Sequence, residues 1–337
     1  MLLTLIITAA AAFMITALLG IVVIPILHKL KFGQTILDIG PAWHKAKKQG
    51  TATMGGVMFI IGITAAFAVG FIMLIAGGVI TLEQSDRMNI INAVSGIIMA
   101  VLFGFIGFVD DFIKVKKKQN EGLTATQKII MQILVIAAYF TVRVLSGNTS
   151  TVINIPFLGG LDLWYFYYIL VGLAILYLVN AVNLTDGIDG LCSSVTFVYC
   201  AAFAVITGLL GSFGLTVLSV AAAGGCLGFL VWNFPPAKVF MGDTGSMFLG
   251  GLVVALGIGA NAEVLMVIAS AVYIWEALTV LIQTTYFKIT HGKRLFKMTP
   301  IHHSFEIRGW KELKIDAVFS LLAALSGAAA VMLSFGL

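Results

Sequence analysis

Long apolar runs separated by short polar segments dominate the chain. At 1.5 Å per residue, a run of about 20 residues can cross a hydrocarbon layer about 30 Å thick as a helix. The two least regular runs are a short one that starts at Met247 and a long one that contains Glu276. The pattern predicts an all-α polytopic membrane protein with ten transmembrane helices, at residues 2–27, 54–80, 90–109, 128–146, 163–182, 191–210, 214–232, 247–260, 263–288 and 315–335.

The composition supports this prediction. Of 337 residues, 60% are hydrophobic and 10% are charged, and the mean hydropathy is +1.06, whereas soluble domains carry about 25% charged residues. An ordinary water-soluble enzyme is therefore excluded, and we expect one integral membrane domain over residues 1–337. Cys192, Cys200 and Cys226 lie inside apolar runs without CxxC spacing, which predicts small buried side chains rather than a disulfide framework or a zinc site.

The basic residues are unevenly divided between the two sides of the predicted bundle. If the N-terminus lies outside, all 20 Lys and Arg except Arg87 and Arg143 fall in inner segments or at adjoining helix ends. The positive-inside rule then predicts that both termini are outside and that the basic segments are cytoplasmic. Because the net charge of +5 follows from this topology, we expect the lipid bilayer as a partner and no nucleic acid.

Five carboxylates lie at the predicted cytoplasmic helix ends, namely Asp110, Asp111, Asp186, Asp189 and Asp243. An Asp near a helix centre costs about 2.5 to 3.5 kcal/mol on insertion scales, and carboxylates within membrane helices are usually functional. Carboxylates from three separate segments on one face therefore predict an active site at the cytoplasmic surface.

The first pair, Asp110 and Asp111, precedes a run of lysines. If the helix continues, Asp110, Lys114 and Lys118 recur at i, i+4 and i+8 and lie near one face. This arrangement predicts a carboxylate beside ammonium groups that bind phosphate. The simpler alternative is a helix end followed by a basic stop signal.

In the second segment, polar residues recur at every third position: Asn180, Asn183, Asp186 and Asp189. On a helix or a tight turn this spacing directs four oxygen-bearing side chains towards one place. Gly187 and Gly190 would let the backbone approach a ligand closely. The alternative is a polar turn in which Asp189 caps the next helix.

The third segment contains Asp243 between Gly242 and Thr244. A carboxylate is a hard oxygen ligand of the kind that Mg²⁺ takes together with substrate phosphates, and a glycine-flanked helix start attracts phosphate through its N–H groups. Alternatively, Asp243 only caps the following helix.

The fourth segment places His302 and His303 after Pro300 in the most basic loop. A lone histidine is more often structural, but a vicinal pair in a cationic loop indicates a role at an anionic ligand. A zinc site is disfavoured because no cysteine or third histidine stands at ligand spacing. The chain also lacks a GxxxxGK[ST] loop, a strand-led GxGxxG and a GxSxG elbow, so P-loop, dinucleotide and common serine-hydrolase chemistry find no support.

These motifs, in this order, resemble the polyprenyl-phosphate N-acetylhexosamine-1-phosphate transferases. The resemblance covers about four-fifths of the chain and rests on Gly40-Pro41, residues 51–56, Asp110-Asp111, residues 122–125, 183–190 and 240–246, Pro300 to His303, and Gly309-Trp310. Members usually carry a third histidine where this chain has Ser304, and Thr-Pro-Thr where it has Thr-Ala-Thr at residues 51–53.

The resemblance implies transfer of phospho-N-acetylmuramoyl-pentapeptide from its UDP carrier to undecaprenyl phosphate, with release of UMP and formation of the first lipid-linked intermediate of peptidoglycan synthesis. It also implies Mg²⁺ as cofactor, the bacterial plasma membrane as location, and a homodimer. It implies catalytic roles for Asp110, Asp111 and His302 and a metal ligand in Asp243. The candidate substrate-binding residues are Lys48, Lys114, Lys118, Lys128, Asn183, Asp186, Gly187, Asp189, Phe240, Gln283 and His303.

Three other functions are alternatives, and the least favoured is a purely structural membrane protein, which would not gather five acids on one face. The closest is an N-acetylglucosamine-1-phosphate transferase on the same scaffold, although its relatives carry a different, more basic loop in place of the histidines. An ion-coupled transporter would need carboxylates near the bilayer midplane and internal repeats; only Glu276 could be deep, and no repeat is visible. Within the transferase hypothesis, direct attack by the lipid phosphate competes with a covalent intermediate on Asp111.

Overall fold

The computed structural model describes residues 1–30, 32, 50–81, 83, 86–117 and 121–337, and this part of the chain is mainly helical. A two-stranded antiparallel hairpin, β1 (Val152–Ile155) and β2 (Gly159–Asp162), interrupts the helices. The prediction of an all-α protein is confirmed. The helices are α1 (Leu2–Lys29), α2 (Gly56–Ala76), α3 (Arg87–Lys117), α4 (Ala125–Leu145), α5 (Phe166–Thr185), α6 (Leu191–Leu209), α7 (Phe213–Asn233), α8 (Gly242–Gly259), α9 (Glu263–Ala269), α10 (Ala271–Ile289), α11 (Ile301–Ile307) and α12 (Glu312–Leu333), with a 3₁₀ turn at Ser334–Gly336.

Nine helices in the described residues are long and apolar enough to cross a membrane, and α9 with α10 would make ten. The predicted polytopic membrane architecture is thus confirmed, with two corrections to the helix boundaries. The predicted span at 263–288 is two helices, α9 and α10, bent by 72° at Ser270. The predicted span at 247–260 starts earlier, at Gly242, because the polar residues before Met247 form the first turn of α8.

Helix α8 is the centre of the bundle, and every residue from Thr244 to Gly259 is buried. Its glycines allow close approach of neighbouring backbones, which drives helix packing in membranes. A Cβ at Gly250 would lie 2.8 Å from Cα of Val179 on α5, and one at Gly251 would lie 2.7 Å from Cα of Ala100 on α3. Helices α3 and α5, which carry two of the candidate motifs, therefore pack directly on α8, which starts with the third.

The GxxxG pattern of Gly224 and Gly228 on α7 packs within the chain. A Cβ at Gly228 would lie 2.6 Å from the carbonyl oxygen of Phe13, and one at Gly224 would overlap the carbonyl of Ala9, both on α1. Because α1 covers these glycines, they are not available for contact with a second copy.

The two ends of the bundle carry different structures. The C-terminal end of α5 and the start of α4 lie at one end, with the candidate motifs. The hairpin connects the other ends of α4 and α5, and Phe157 in its turn donates a backbone hydrogen bond to Gly336 at 2.9 Å. The C-terminal residues therefore lie at the end of the bundle opposite the motifs.

Candidate active site

Asp110 is held in place by its own helix and by the turn that starts α4. As the spacing predicts, α3 continues through Lys114, whose Nζ lies 2.6 Å from Oδ2 of Asp110. The backbone N–H of Leu123 donates to Oδ1 at 2.7 Å, and a Cβ at Gly122 would overlap the carboxylate. Asp110 is completely buried, so its position is fixed by charge, a hydrogen bond and close packing together.

Two lysines join Asp110 to Asp243. Lys114 Nζ lies 3.1 Å from Oδ2 of Asp243, and Lys128 Nζ lies 2.7 Å from the same oxygen and 3.0 Å from Oδ2 of Asp110. The side chains of Lys114 and Lys128 are 31% and 24% exposed, and that of Asp243 is 19% exposed. The ammonium groups are therefore accessible to an anion, whereas the carboxylates beneath them are largely covered.

Asp111 caps the N-terminus of α8. It accepts hydrogen bonds from the backbone N–H of Thr244 at 2.9 Å, from the Thr244 hydroxyl at 2.7 Å and from the backbone N–H of Asp243 at 3.2 Å. Gly242 has φ +70°, in the left-handed region that favours glycine, and a Cβ there would lie 2.5 Å from Oδ2 of Asp111. The alternative in which Asp243 is only a helix cap is therefore wrong: Asp111 provides the cap, and the Asp243 side chain is directed to the lysines.

Asn183 contacts the same cluster from α5. Its Nδ2 donates to Oδ1 of Asp243 at 3.0 Å and to Oγ of Ser246 at 2.7 Å. Together with the two lysines, this contact gives the Asp243 carboxylate hydrogen-bond partners from α3, α4 and α5. Asp243 is thus the point at which three of the candidate segments meet.

The prediction that the residues at every third position converge is wrong. Asn180 lies one turn deeper in α5 and pairs with Gln132 of α4 at 2.9 Å. Helix α5 ends at Thr185, and after the turn Asp189 is buried and accepts the backbone N–H of Ala237 at 2.8 Å. Asp186 forms the half-buried C-cap of α5. Because the helix ends, the periodicity does not extend over all four positions.

Asp110, Asp111 and Asp243, which we call the acidic cluster, each offer a carboxylate oxygen within 4.8 Å of the others. Three carboxylates against two ammonium groups leave one negative charge in excess when all are ionised. Oxygen-only donors with an excess negative charge suit a hard divalent cation such as Mg²⁺. The residues present therefore fit a magnesium site.

His302 packs against Gly187, in the segment that also contains Asn183. It is completely buried, its Nδ1 lies 3.1 Å from Oε1 of Glu276 on α10, and its Nε2 packs so closely on Gly187 that no Cβ fits there. His303 is more exposed and has its Nδ1 2.6 Å from Oε2 of Glu306. Sequence analysis considered Glu276 only as a deep carboxylate of a transporter; its signal was a single acid within an apolar run.

The remaining loop residues have structural contacts. Ser304, at the position of the usual third histidine, donates to the carbonyl of Met298 at 2.5 Å and accepts its N–H at 3.1 Å. Gln283 accepts the backbone N–H groups of Leu295 and Phe296 at 3.1 and 2.9 Å. The Ser304 and Gln283 side chains stabilise the conformation of the loop that precedes α11.

The segment before α2 lies beside the segment before α8. Ala52 forms a parallel bridge with Val239, Phe240 donates its N–H to Ala52 at 2.8 Å, and Gly55 donates to the carbonyl of Phe240 at 2.8 Å. The Phe240 side chain is half-buried. Two further candidate residues, Lys48 and Lys118, lie outside the described residues.

Comparison with known proteins identifies the family. The sequence model of glycosyl transferase family 4 matches residues 93–261. The chain belongs to glycosyl transferase family 4. The match includes the acidic cluster, Lys114, Lys128 and Asn183, and it ends before the histidine loop.

Curated relatives match nearly the whole chain. The phospho-N-acetylmuramoyl-pentapeptide-transferase of Desulforamulus reducens is 44% identical over 94% of this chain and 92% of its own length. Those of Halalkalibacterium halodurans and Clostridioides difficile are 41% and 42% identical, over 98% and 94% of this chain and 97% and 93% of their own lengths. The resemblance seen in the sequence is thereby confirmed, and a phosphoglycosyl transferase is supported.

Proposed function

We propose that this protein transfers phospho-N-acetylmuramoyl-pentapeptide from its UDP carrier to undecaprenyl phosphate, with release of UMP, in the bacterial plasma membrane. The product is the first lipid-linked intermediate of peptidoglycan synthesis. The observation that carries the proposal is the meeting of Asp110, Asp243 and two lysines at the end of an apolar bundle, in a chain 41–44% identical to transferases of that name. The chain acts as one integral membrane domain.

The acidic cluster faces the cytoplasm and the termini lie outside. This orientation follows from the basic residues, and the contact between Phe157 and Gly336 at the other end agrees with it. Thr126, in the first turn of α4, and Thr149, just beyond its last turn, are both exposed. A membrane-impermeant thiol reagent added to intact cells should label Thr149→Cys but not Thr126→Cys; labelling of both, or the reverse pattern, contradicts the orientation.

Asp243 would hold Mg²⁺ in this proposal, with Asp111 setting the position of Asp243. When bound, the ion neutralises charge on the substrate pyrophosphate. Lys114 and Lys128 bind the phosphates, because their ammonium groups are accessible and lie at the cluster. With the metal and both lysines, the site carries a net positive charge suited to two anionic substrates.

The reaction is direct in-line attack. An oxygen of the lipid phosphate attacks the β phosphorus, and the bond between this phosphorus and the bridging oxygen breaks, so UMP leaves. A phosphate monoester is mostly dianionic at pH 7 because its second pKa is about 6, so the transfer needs positioning and charge neutralisation more than a protein nucleophile. Asp110 accepts any residual proton, and His302 acts at the reacting phosphates.

The hydrogen bonds of Asp111 argue against a covalent intermediate on this residue. Both oxygens accept N–H or O–H groups from the first turn of α8, and attack on phosphorus would break this cap. Direct transfer leaves the cap intact, which is why we favour it.

The nucleotide and the rest of the donor substrate bind around the cluster. Asn183 near the end of α5 and Asp186 and Gly187 in the turn after it line the site, and Phe240 stacks on uracil. The further substrate-binding residues in this proposal are Lys48, Lys118, Asp189, Gln283 and His303. A homodimer remains a prediction from the resemblance.

The test uses purified protein with undecaprenyl phosphate, Mg²⁺ and each nucleotide sugar. UMP should be released with UDP-N-acetylmuramoyl-pentapeptide and not with UDP-N-acetylglucosamine, and chelation of the metal should abolish the release. Release with UDP-N-acetylglucosamine alone would instead support the N-acetylglucosamine-1-phosphate transferase. Full activity with a chelator would contradict the role of Mg²⁺.

A further inference from the structure

We infer that Glu276 is a positioning residue that acts through His302: its carboxylate holds Nδ1 of the imidazole so that Nε2 faces the segment of Asn183 and Gly187. The inference rests on the proposed function only for the role of His302 in transfer. The contact itself stands on geometry, burial and charge.

The bend between α9 and α10 brings Glu276 to the histidine. Helix α10 starts at Ala271, so Glu276 lies in its second turn, where the chain has already turned by 72°. Its Oε1 lies 3.1 Å from Nδ1 of His302, which is on the separate helix α11. The pair therefore depends on tertiary packing of two helices, and its two residues are 26 positions apart in sequence.

Because both side chains are buried, this contact is important for the stability of each charge. Glu276 and His302 are completely buried, and neither side chain makes a hydrogen bond among the described residues, so the 3.1 Å approach of Oε1 to Nδ1 is a contact between a carboxylate and an imidazole. An isolated buried carboxylate is costly, and removing one member of a buried pair is strongly destabilising. Such a carboxylate in an apolar helix therefore needs a function, and the charge contact that the described structure gives its carboxylate is with the imidazole.

The geometry determines which ring nitrogen is available. A carboxylate at Nδ1 favours the proton on that nitrogen, so Nε2 presents its lone pair in the neutral ring or an N–H in the imidazolium. Nε2 packs on Gly187, four residues after Asn183, whose amide binds Asp243. Any side chain at position 187 would displace the ring, which explains the glycine at this point.

The neighbouring histidine shows what is distinctive about this contact. His303 pairs with Glu306 three residues along the same short helix, at 2.6 Å, and its side chain is 13% exposed. This second pair is local and needs no other helix. Gln283 of α10 also contacts the histidine loop, at the N–H groups of Leu295 and Phe296, but Glu276 is the residue whose carboxylate lies beside the His302 ring, so its removal should release that ring.

The first test is a double-mutant cycle on UMP release. We expect His302→Ala to lower kcat by about 100-fold and Glu276→Gln by at least about 10-fold, because an orienting carboxylate sets the tautomer of its imidazole. In the His302→Ala background, Glu276→Gln should change kcat by less than about 2-fold, since residues that act as a unit are not additive. Losses that multiply would overturn the inference.

Two further variants keep this test decisive. Glu263→Gln is the matched control, because Glu263 is also buried and lies on α9, where it pairs with Tyr167 at 2.7 Å. Its effect should be the same with and without His302. If Glu276→Gln does not fold, the cycle is repeated with Glu276→Asp. This variant keeps the negative charge but moves the carboxylate away from the imidazole by the length of one methylene group.

The second test does not depend on activity. In protein labelled with ¹⁵N-histidine, His302 is assigned by loss of its signals in His302→Gln. Glu276→Gln should move the ring ¹⁵N resonances of His302 more than those of His303, and Glu263→Gln should move neither. Unchanged His302 resonances in Glu276→Gln would overturn the inference. Failure of the unaltered protein to release UMP would instead overturn the proposed function and leave this measurement valid.

Discussion

Both ends of α8 bury charged side chains, but the charges have different kinds of partner. At the N-terminal end, Lys114 and Lys128 bind the carboxylates of Asp110 and Asp243 and remain partly exposed. At the C-terminal end, Arg143 is 3% exposed and donates to the carbonyl of Ile258 at 2.9 Å and to Oδ1 of Asn261 at 3.0 Å. The partners at one end are partly exposed lysine side chains, whereas the partners at the other end are a backbone carbonyl and a side-chain amide.

The distal end has the features of a structural anchor. The Arg143 guanidinium lies 5.9 Å from the ring centre of Tyr139 and donates to one carbonyl of the last turn of α8, where a positive charge interacts favourably with the helix dipole. Glu263 completes this end by accepting the hydroxyl of Tyr167. No partner here can be exchanged for a ligand without freeing the end of the helix.

The comparison shows that burial of charge in a membrane bundle does not by itself indicate a catalytic role. At the acidic cluster, two accessible ammonium groups share two carboxylates. An anionic ligand can therefore take the place of a carboxylate as the partner of a lysine. At Arg143 the same exchange would expose helix carbonyls to the apolar interior. Four substitutions test this distinction, in decreasing order of expected effect on turnover.

Asp243→Asn should have the largest effect. It preserves shape and removes one charge from the proposed magnesium site, so kcat for UMP release should fall by roughly 1,000-fold, about 4 kcal/mol at 1.36 kcal/mol per decade. The cap on α8 belongs to Asp111, so the thermal unfolding temperature should change little. A folded Asp243→Asn protein with near-normal kcat and unchanged Mg²⁺ dependence would remove Asp243 from the site.

His302→Ala should reduce kcat by about 100-fold, the scale of a positioned polar or acid-base group. Ser304→Ala is the control: it removes two hydrogen bonds to Met298, so we expect a loss of about 1 kcal/mol in stability with most of the activity kept. Steady-state kinetics and thermal unfolding of both variants make the comparison. Equal losses of kcat at the two positions would contradict the role of His302.

Asp111→Asn should reduce kcat by only about 10-fold, because Asn caps a helix about as well as Asp and only the charge and some of the three hydrogen bonds are lost. If Asp111 were the covalent nucleophile, the amide would abolish turnover. Single-turnover measurements with excess protein distinguish the two outcomes. Complete loss of transfer in a folded protein would favour the covalent route.

Arg143→Met should have the smallest effect on turnover, within about 2-fold, but it should lower the free energy of unfolding by about 2 to 3 kcal/mol, the value of a hydrogen bond to a charged group. Thermal unfolding in detergent and kcat of the folded fraction are the two measurements. A 100-fold loss of kcat without a loss of stability would show that the distal end takes part in the reaction.

Local pattern was sufficient for much of this protein. Long apolar runs predicted the helices because a segment in a bilayer must satisfy its backbone hydrogen bonds internally. The i, i+4 spacing predicted the contact of Asp110 with Lys114, since both lie on one continuous helix. The order and spacing of the motifs were enough to predict the family, because each motif is short and contiguous in sequence.

Contacts between distant segments were decided only by the tertiary structure. The cap on α8 is Asp111, 131 positions before Gly242, and the partner of His302 is Glu276 on another helix. The convergence predicted for residues 180–189 failed where α5 ends. A helical repeat specifies which side chains share a face of one element, but close packing at glycines determines which faces meet. The sequence by itself thus determined the helices, the membrane setting and the family, whereas packing around α8 decided which carboxylate caps, which one binds the lysines and which one holds the histidine.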